Sequence, residues 1–154
     1  LAELKAAAAV QRLALESDPS SVYILGCDQI LSCGEVIYNK PKNQAMAKAQ
    51  LMALSGKKHQ LFSAAVLYRH GERIWHHLAI ANITMRRLDE GFIVSYLDRL
   101  GAAALSSPAS YQIESLGAQL ISRIDGCHFS ILGLPLLELL GILREHGLKP
   151  LENR

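Results

Sequence analysis

The sequence predicts an α/β fold, a mixed twisted sheet flanked by helices, and three observations lead there. The apolar run Val22-Tyr23-Ile24-Leu25 reads as a buried strand. Two β-rich runs, Leu61 to Tyr68 and Arg73 to Met85, flank the turn signal His70-Gly71-Glu72 and make a long antiparallel hairpin. Behind Asp89, the residues Phe92, Ile93, Tyr96, Leu97 and Leu100 recur at helical spacing, leaving a polar opposite face.

The remaining elements follow in chain order. Leu1 to about Ser17 is an alanine-rich helix with Leu1, Leu4, Ala8 and Leu15 near one face, stopped by Asp18-Pro19-Ser20-Ser21. The strand Val22 to Cys27 comes next, and Cys33-Gly34 marks a tight turn between Leu31 and Val36-Ile37. Asn43 is placed to cap a helix from about Gln44 to Leu54, which ends at Ser55-Gly56. After the Asp89 helix, Gly101 to Ser110 reads as a small-residue loop and Ala118 to Ile124 as a strand. Pro135 suits the first turn of a final helix reaching His146. There is no internal repeat.

Composition narrows the partners. The 154 residues suit a single domain over residues 1–154, and 50% hydrophobic with 19% charged residues is a globular balance. A net charge of +2 gives no broad basic face for a nucleic acid polymer, but leaves room for a local cationic pocket around one small anion. Cys27, Cys33 and Cys127 form an odd set without a C-x-x-C pair, so neither a disulfide framework nor a zinc knuckle is indicated, and a reducing, cytoplasmic setting is expected. No membrane span is expected either, because Gly133, Pro135, Glu138 and Gly141 interrupt the leucine-rich segment from Ile131 to Leu143. The opening lacks a signal-peptide pattern and begins abruptly in a helix, which points to a missing N-terminal portion.

Asp28 is the leading candidate for chemistry. It follows the first apolar run in Gly26-Cys27-Asp28-Gln29, and Lys40-Pro41 comes after a short polar excursion. Two readings stand side by side: an ordinary strand-end aspartate accepting turn hydrogen bonds, or a carboxylate that binds a divalent cation or takes a proton from water. Lys40 is a solvated surface charge or, held by the restricted backbone before Pro41, an ammonium directed at a phosphate. Glu114, in Tyr111-Gln112-Ile113-Glu114-Ser115-Leu116-Gly117, is a solvated loop carboxylate or a ligand contact. Cys27 is a small core residue, and His59, His70, His76, His77 and His146 have no metal-ligand spacing. No dinucleotide fingerprint or G-x-x-x-x-G-K-[ST] loop is present.

Taken together, Gly26-Cys27-Asp28-Gln29, Asn39-Lys40-Pro41, Leu54-Ser55-Gly56-Lys57-Lys58-His59, Tyr111 to Gly117 and Ile131-Leu132-Gly133-Leu134-Pro135-Leu136 resemble the Maf family of nucleoside triphosphate pyrophosphatases, whose architecture is related to inosine triphosphate pyrophosphatase. The resemblance implies hydrolysis between the α and β phosphates with a divalent metal, Mg or Mn. It also implies Asp28 as proton acceptor and metal contact, Lys40 beside the triphosphate, and a homodimer. Gln29 and Glu114 resemble the branch acting on 7-methyl-GTP. A carboxylate suits that base, because it accepts from the N1–H and N2–H edge and offsets the charge that N7-methylation adds. The family's Ser-rich, Arg-containing phosphate loop has no counterpart here, and Ser107, Cys127 and His128 depart from the common pattern. A catalytically weakened nucleotide-binding or regulatory protein is therefore the alternative to an enzyme.

Overall fold

The computed structural model describes residues 1–16 and 22–148. In order these form α1 (Ala2–Glu16), β1 (Tyr23–Cys33), β2 (Val36–Tyr38), α2 (Gln44–Leu54), β3 (Lys58–Arg69), β4 (Glu72–Met85), α3 (Glu90–Leu100), β5 (Ile121–Asp125), α4 (His128–Ile131) and α5 (Leu136–Glu145). Short 3-10 turns lie at Gly101–Leu105, Pro108–Ser110 and Leu116–Leu120. The sheet order is β2-β1-β3-β4-β5. The β1–β2 and β4–β5 pairs are antiparallel, with Ser32 opposite Ile37 and Asn82 opposite Asp125. This is the α/β architecture expected, and no helix of the described residues is long and apolar enough to cross a membrane.

Local chemistry explains where the elements start and stop. The Asn43 side chain accepts from Met46 N at 2.9 Å, satisfying one of the free N–H groups of α2. Asp89 does the same for α3 through Phe92 N at 2.8 Å. Ser55 follows α2, and its hydroxyl accepts from Leu88 N and donates to Leu88 O, tying the end of one helix to the approach of the next. The β3–β4 turn places His70 at φ 53° and Gly71 at φ 80°, the two left-handed residues that a type I′ hairpin needs.

Four expectations are corrected. β1 does not stop at Cys27: the Cys33-Gly34 hairpin pairs Leu31, Ser32 and Cys33 with β2, which carries the ladder on, so Asp28 lies inside the strand and not at its end. The strand expected from Ala118 begins only at Ile121, because Leu116–Leu120 tightens into a 3-10 turn. The small-residue loop likewise contains two such turns. Finally, α1 buries the opposite side from the one anticipated. Leu1 and Leu4 are 71% and 69% exposed, while Ala2 and Ala6 are buried. Alanines win that face because the helix approaches β1 too closely for leucine. The Asp18–Ser21 stop and the Leu15 side chain lie outside the described residues.

The chain groups into two compact units, and β1, β3 and β4 each contribute residues to both. The first comprises Leu1–Gln29, Ser63–Ala79 and Cys127–Arg154. Its core sets Ala2 and Ala6 of α1 against Ile24 and Val66, with Ala9, Val10, Leu13, Ala64 and Tyr68 alongside. At the far end of α5, Tyr23 packs edge-on to His146, and the Arg69 guanidinium lies over the tyrosine ring.

The second unit comprises Ile30–Phe62 and Ile80–Gly126. Helix α2 buries Ala47, Leu51 and Leu54, a stripe at helical spacing, and packs on α3, which buries Ile93, Tyr96 and Leu97. Leu31, Leu61, Ala81, Ile83 and Met85 are among the buried sheet residues of this unit, together with the polar His59.

Candidate active site

Asp28 sits midway along β1 and faces α1. Its Oδ1 accepts from Lys5 Nζ at 2.5 Å, and the same ammonium donates to Cys27 O at 3.2 Å. The carboxylate is largely enclosed, its side chain 16% exposed, whereas that of Lys5 is 58% exposed. The pair joins a largely enclosed carboxylate to a cation that reaches solvent.

Gly26 is what lets the lysine reach. A Cβ there would lie 2.7 Å from Ala6 Cβ and 3.0 Å from Ala6 N, and nearer still to Ala2 O, so only glycine permits α1 to lie this close to β1. Lys5 was missed in the sequence because its partner is 23 residues away, on another element. The available signal was the glycine inside an apolar strand, which marks a close backbone approach. Cys27, between Gly26 and Asp28, has its thiol pKa pushed up by burial, with Lys5 opposing that shift. It remains a free, inert neighbour.

Gln29 points the other way, since successive strand residues alternate faces. Its Nε2 lies 2.8 Å from Ser63 Oγ and 3.0 Å from both Ser130 O and Ile131 O, and Ser63 Oγ also donates to Ser130 O at 2.6 Å. The amide thus fixes the end of α4 to the middle of the strand. The structure therefore separates two adjacent candidates: Asp28 on the α1 side, Gln29 on the α4 side.

Lys40 and Glu114 both belong to the second unit. Lys40 is exposed, beside a buried Pro41, and Asn39 O accepts from Gln50 Nε2 at 3.0 Å, holding this connection to α2. Glu114 is exposed at the tip of a small closed loop. Ser115 N donates to Gln112 O at 3.1 Å, and a Cβ on Gly117 would come within 2.7 Å of Gln112 N, so the loop closes only around that glycine.

The approach to the loop is strained. Ala109 and Ser110 both adopt left-handed φ values, 53° and 57°. Each costs a non-glycine residue about 1 kcal/mol or more, so surrounding contacts must hold the kink. They are present: Tyr96 OH donates to Ser110 O at 2.9 Å, Ser107 Oγ donates to Tyr111 O at 3.1 Å, and the Tyr111 hydroxyl pairs with His59 Nε2 at 2.9 Å. His59 is buried, and burial pushes its pKa down to about 4, so the ring is neutral near pH 7. Burial raises the pKa of Tyr111 above the usual phenol range, which keeps its hydroxyl protonated. A cavity of about 150 Å³ next to the loop, between Tyr96, Arg99, Leu116 and Gln119, is smaller than a nucleotide requires.

Among the described residues there is no group of three or more His, Cys, Asp or Glu that could hold a metal ion. Asp28, whose Oδ1 is held by Lys5, would offer its second oxygen to a magnesium ion that arrives with a polyphosphate, since such an ion keeps several waters and needs only one or two protein carboxylates beside phosphate oxygens.

The chain belongs to the Maf-like protein family, whose model matches residues 1–146. It is 52% identical over 129 residues to the 7-methyl-GTP pyrophosphatase of Brucella abortus biovar 1 (strain 9-941), covering 84% of this chain and 64% of that protein. It is also 52% identical over 124 residues to the 7-methyl-GTP pyrophosphatase of Mesorhizobium japonicum, covering 80% and 62%. With the nucleoside triphosphate pyrophosphatase of Paramagnetospirillum magneticum it shares 46% identity over 147 residues, 96% of this chain and 73% of that one. The chain thus spans less than two thirds of the length of the Brucella and Mesorhizobium proteins.

Proposed function

We propose that this chain carries the catalytic carboxylate of a nucleoside triphosphate pyrophosphatase acting on 7-methyl-GTP. The observation that carries the reading is the enclosed Asp28 carboxylate with the Lys5 ammonium 2.5 Å away, within the residues that the family model matches. Asp28 takes the proton of a water whose oxygen attacks the anhydride phosphorus. The bond between that phosphorus and the α–β bridging oxygen breaks, leaving the monophosphate and pyrophosphate. Lys5 holds the carboxylate in place, and Lys40 meets the polyphosphate. A divalent cation, held by Asp28 together with the nucleotide's own oxygens, would offset charge on the departing pyrophosphate.

Glu114 selects the base, accepting from the N1–H and N2–H edge of the cationic guanine. Gln29 contributes by fixing α4 and not by donating to the base, because its amide nitrogen is already surrounded by Ser63, Ser130 and Ile131. The protein acts as a homodimer in a reducing, cytoplasmic compartment. The test is pyrophosphate release from a panel of triphosphates by the protein at its natural length. Glu114→Gln is expected to lower kcat/KM on 7-methyl-GTP by roughly tenfold to hundredfold while sparing UTP. An unchanged ranking would make Glu114 a solvated loop carboxylate.

A further inference from the structure

We infer that His59 is a positioning residue for base selection, latching through Tyr111 the loop that carries Glu114. This rests on the assignment of Glu114 proposed above. His59, Tyr96, Tyr111 and the Glu114 loop all lie within the second unit.

The loop from Gln112 to Gly117 is closed on itself and behaves as one piece. What orients it is therefore the chain just before it. There Ala109 and Ser110 turn through two left-handed conformations, which neither side chain favours by itself. Tyr96 fixes the kink from α3 through Ser110 O, and Tyr111 leaves the kink with its ring against His59, centroids 5.7 Å apart. The hydroxyl-to-imidazole bond is the buried tie nearest Glu114, three residues further along the chain, and Gln112 Nε2, donating to Ser106 Oγ at 2.7 Å, adds an exposed one between them.

His59 is badly suited to a filling role. It is 1% exposed on β3, and both of its polar ring nitrogens are buried, Nε2 on Tyr111 and the ring also near the Lys57 backbone. A leucine would fill the space without the cost of burying polar nitrogens. The imidazole contributes the one thing a leucine lacks, a directional hold on Tyr111. If that hold slackens, the loop can rotate about the kink, and Glu114 loses its register with the base while Asp28, in the other unit, is untouched.

The test uses the enzyme at its natural length, with kcat, KM and melting temperature measured for 7-methyl-GTP and UTP. Tyr111→Phe keeps the ring and removes the hydroxyl. It is expected to raise KM for 7-methyl-GTP about threefold to tenfold, to change kcat less than about twofold, and to leave KM for UTP in place. His59→Leu should behave likewise, and His59→Gln, which restores a polar partner, should recover the preference. In a Glu114→Gln background, Tyr111→Phe should shift the ratio no further. Should His59→Leu fail to fold, the Tyr111→Phe comparison decides alone. Equal losses on both nucleotides with a lower melting temperature, or an unmoved ratio where Glu114→Gln does move it, overturn the latch and leave Glu114 its role. A Glu114→Gln enzyme with unaltered preference overturns both.

Discussion

Replacing Gly26 by alanine tests the packing that brings Lys5 to Asp28. The added methyl would stand 2.7 Å from Ala6 Cβ, whereas two carbons need about 3.5 Å, so α1 must retreat from β1 by roughly 0.8 Å. Both Ala2 and Ala6 are buried in the core of the first unit, so the movement opens a gap that other side chains do not fill. Overpacking of this kind costs about 1–3 kcal/mol. The same retreat lengthens the 2.5 Å contact between Lys5 and Asp28, and a misplacement near 1 Å can lower turnover by up to about a hundredfold. Urea unfolding monitored by far-UV circular dichroism reads the first effect, and pyrophosphate release reads the second. Gly141→Ala in α5 is the control: no atom lies within 4 Å of its added Cβ, so the helix should gain about 0.5–1 kcal/mol. A Gly26→Ala protein with unchanged unfolding midpoint and turnover would refute the argument that close packing positions the pair.

Asp28→Asn keeps the shape but removes the basicity, and is expected to cut turnover on the order of a hundredfold to ten-thousandfold; near-normal hydrolysis by the folded variant would exclude the carboxylate as base. Lys40→Ala should weaken triphosphate binding by about fivefold to tenfold and monophosphate binding less, as isothermal titration can show, and equal losses would place Lys40 away from the polyphosphate. His59 makes stability depend on pH. Its folded pKa of about 4 lies below the ordinary 6.5, so the unfolded chain binds the proton more readily. The contribution is whole above about pH 6.5 and fades toward pH 4, by about 3 kcal/mol in all. The stability difference between wild type and His59→Gln should therefore change between about pH 4 and 6.5 and stay constant on either side, and a difference constant across the whole range would contradict it.

Much of the fold was legible because its signals are local. Asn43, Asp89, Gly34 and His70-Gly71 act on backbone groups within a few residues of themselves, so caps and turns were read with nearly correct bounds. Contacts between distant segments were not legible. Leucines normally mark the buried face of a helix, yet in α1 the approach at Gly26 selects alanine. The polar Asp28-Gln29 pair read as a strand end, although pairing with β2 carries the strand on to Cys33. Of the candidate site, Asp28, Gln29, Lys40 and Glu114 stood out through their motifs. Lys5 and His59 act through partners 23 and 52 residues away, and no spacing rule encodes those pairings.

The edges of the sheet bear on how the protein behaves when concentrated. β5 lines one edge and carries exposed Arg123 and Asp125, charges of both signs that oppose stacking of one copy against another. β2 lines the other edge with Val36 and Ile37, 56% and 59% exposed and uncharged. Its protection is brevity: three residues between the Gly34 turn and Pro41 offer too short a template for a second chain to extend. Any association of copies that crowding still forces should start at this uncharged edge rather than at β5, and Ile37→Lys should raise solubility without touching the proposed chemistry.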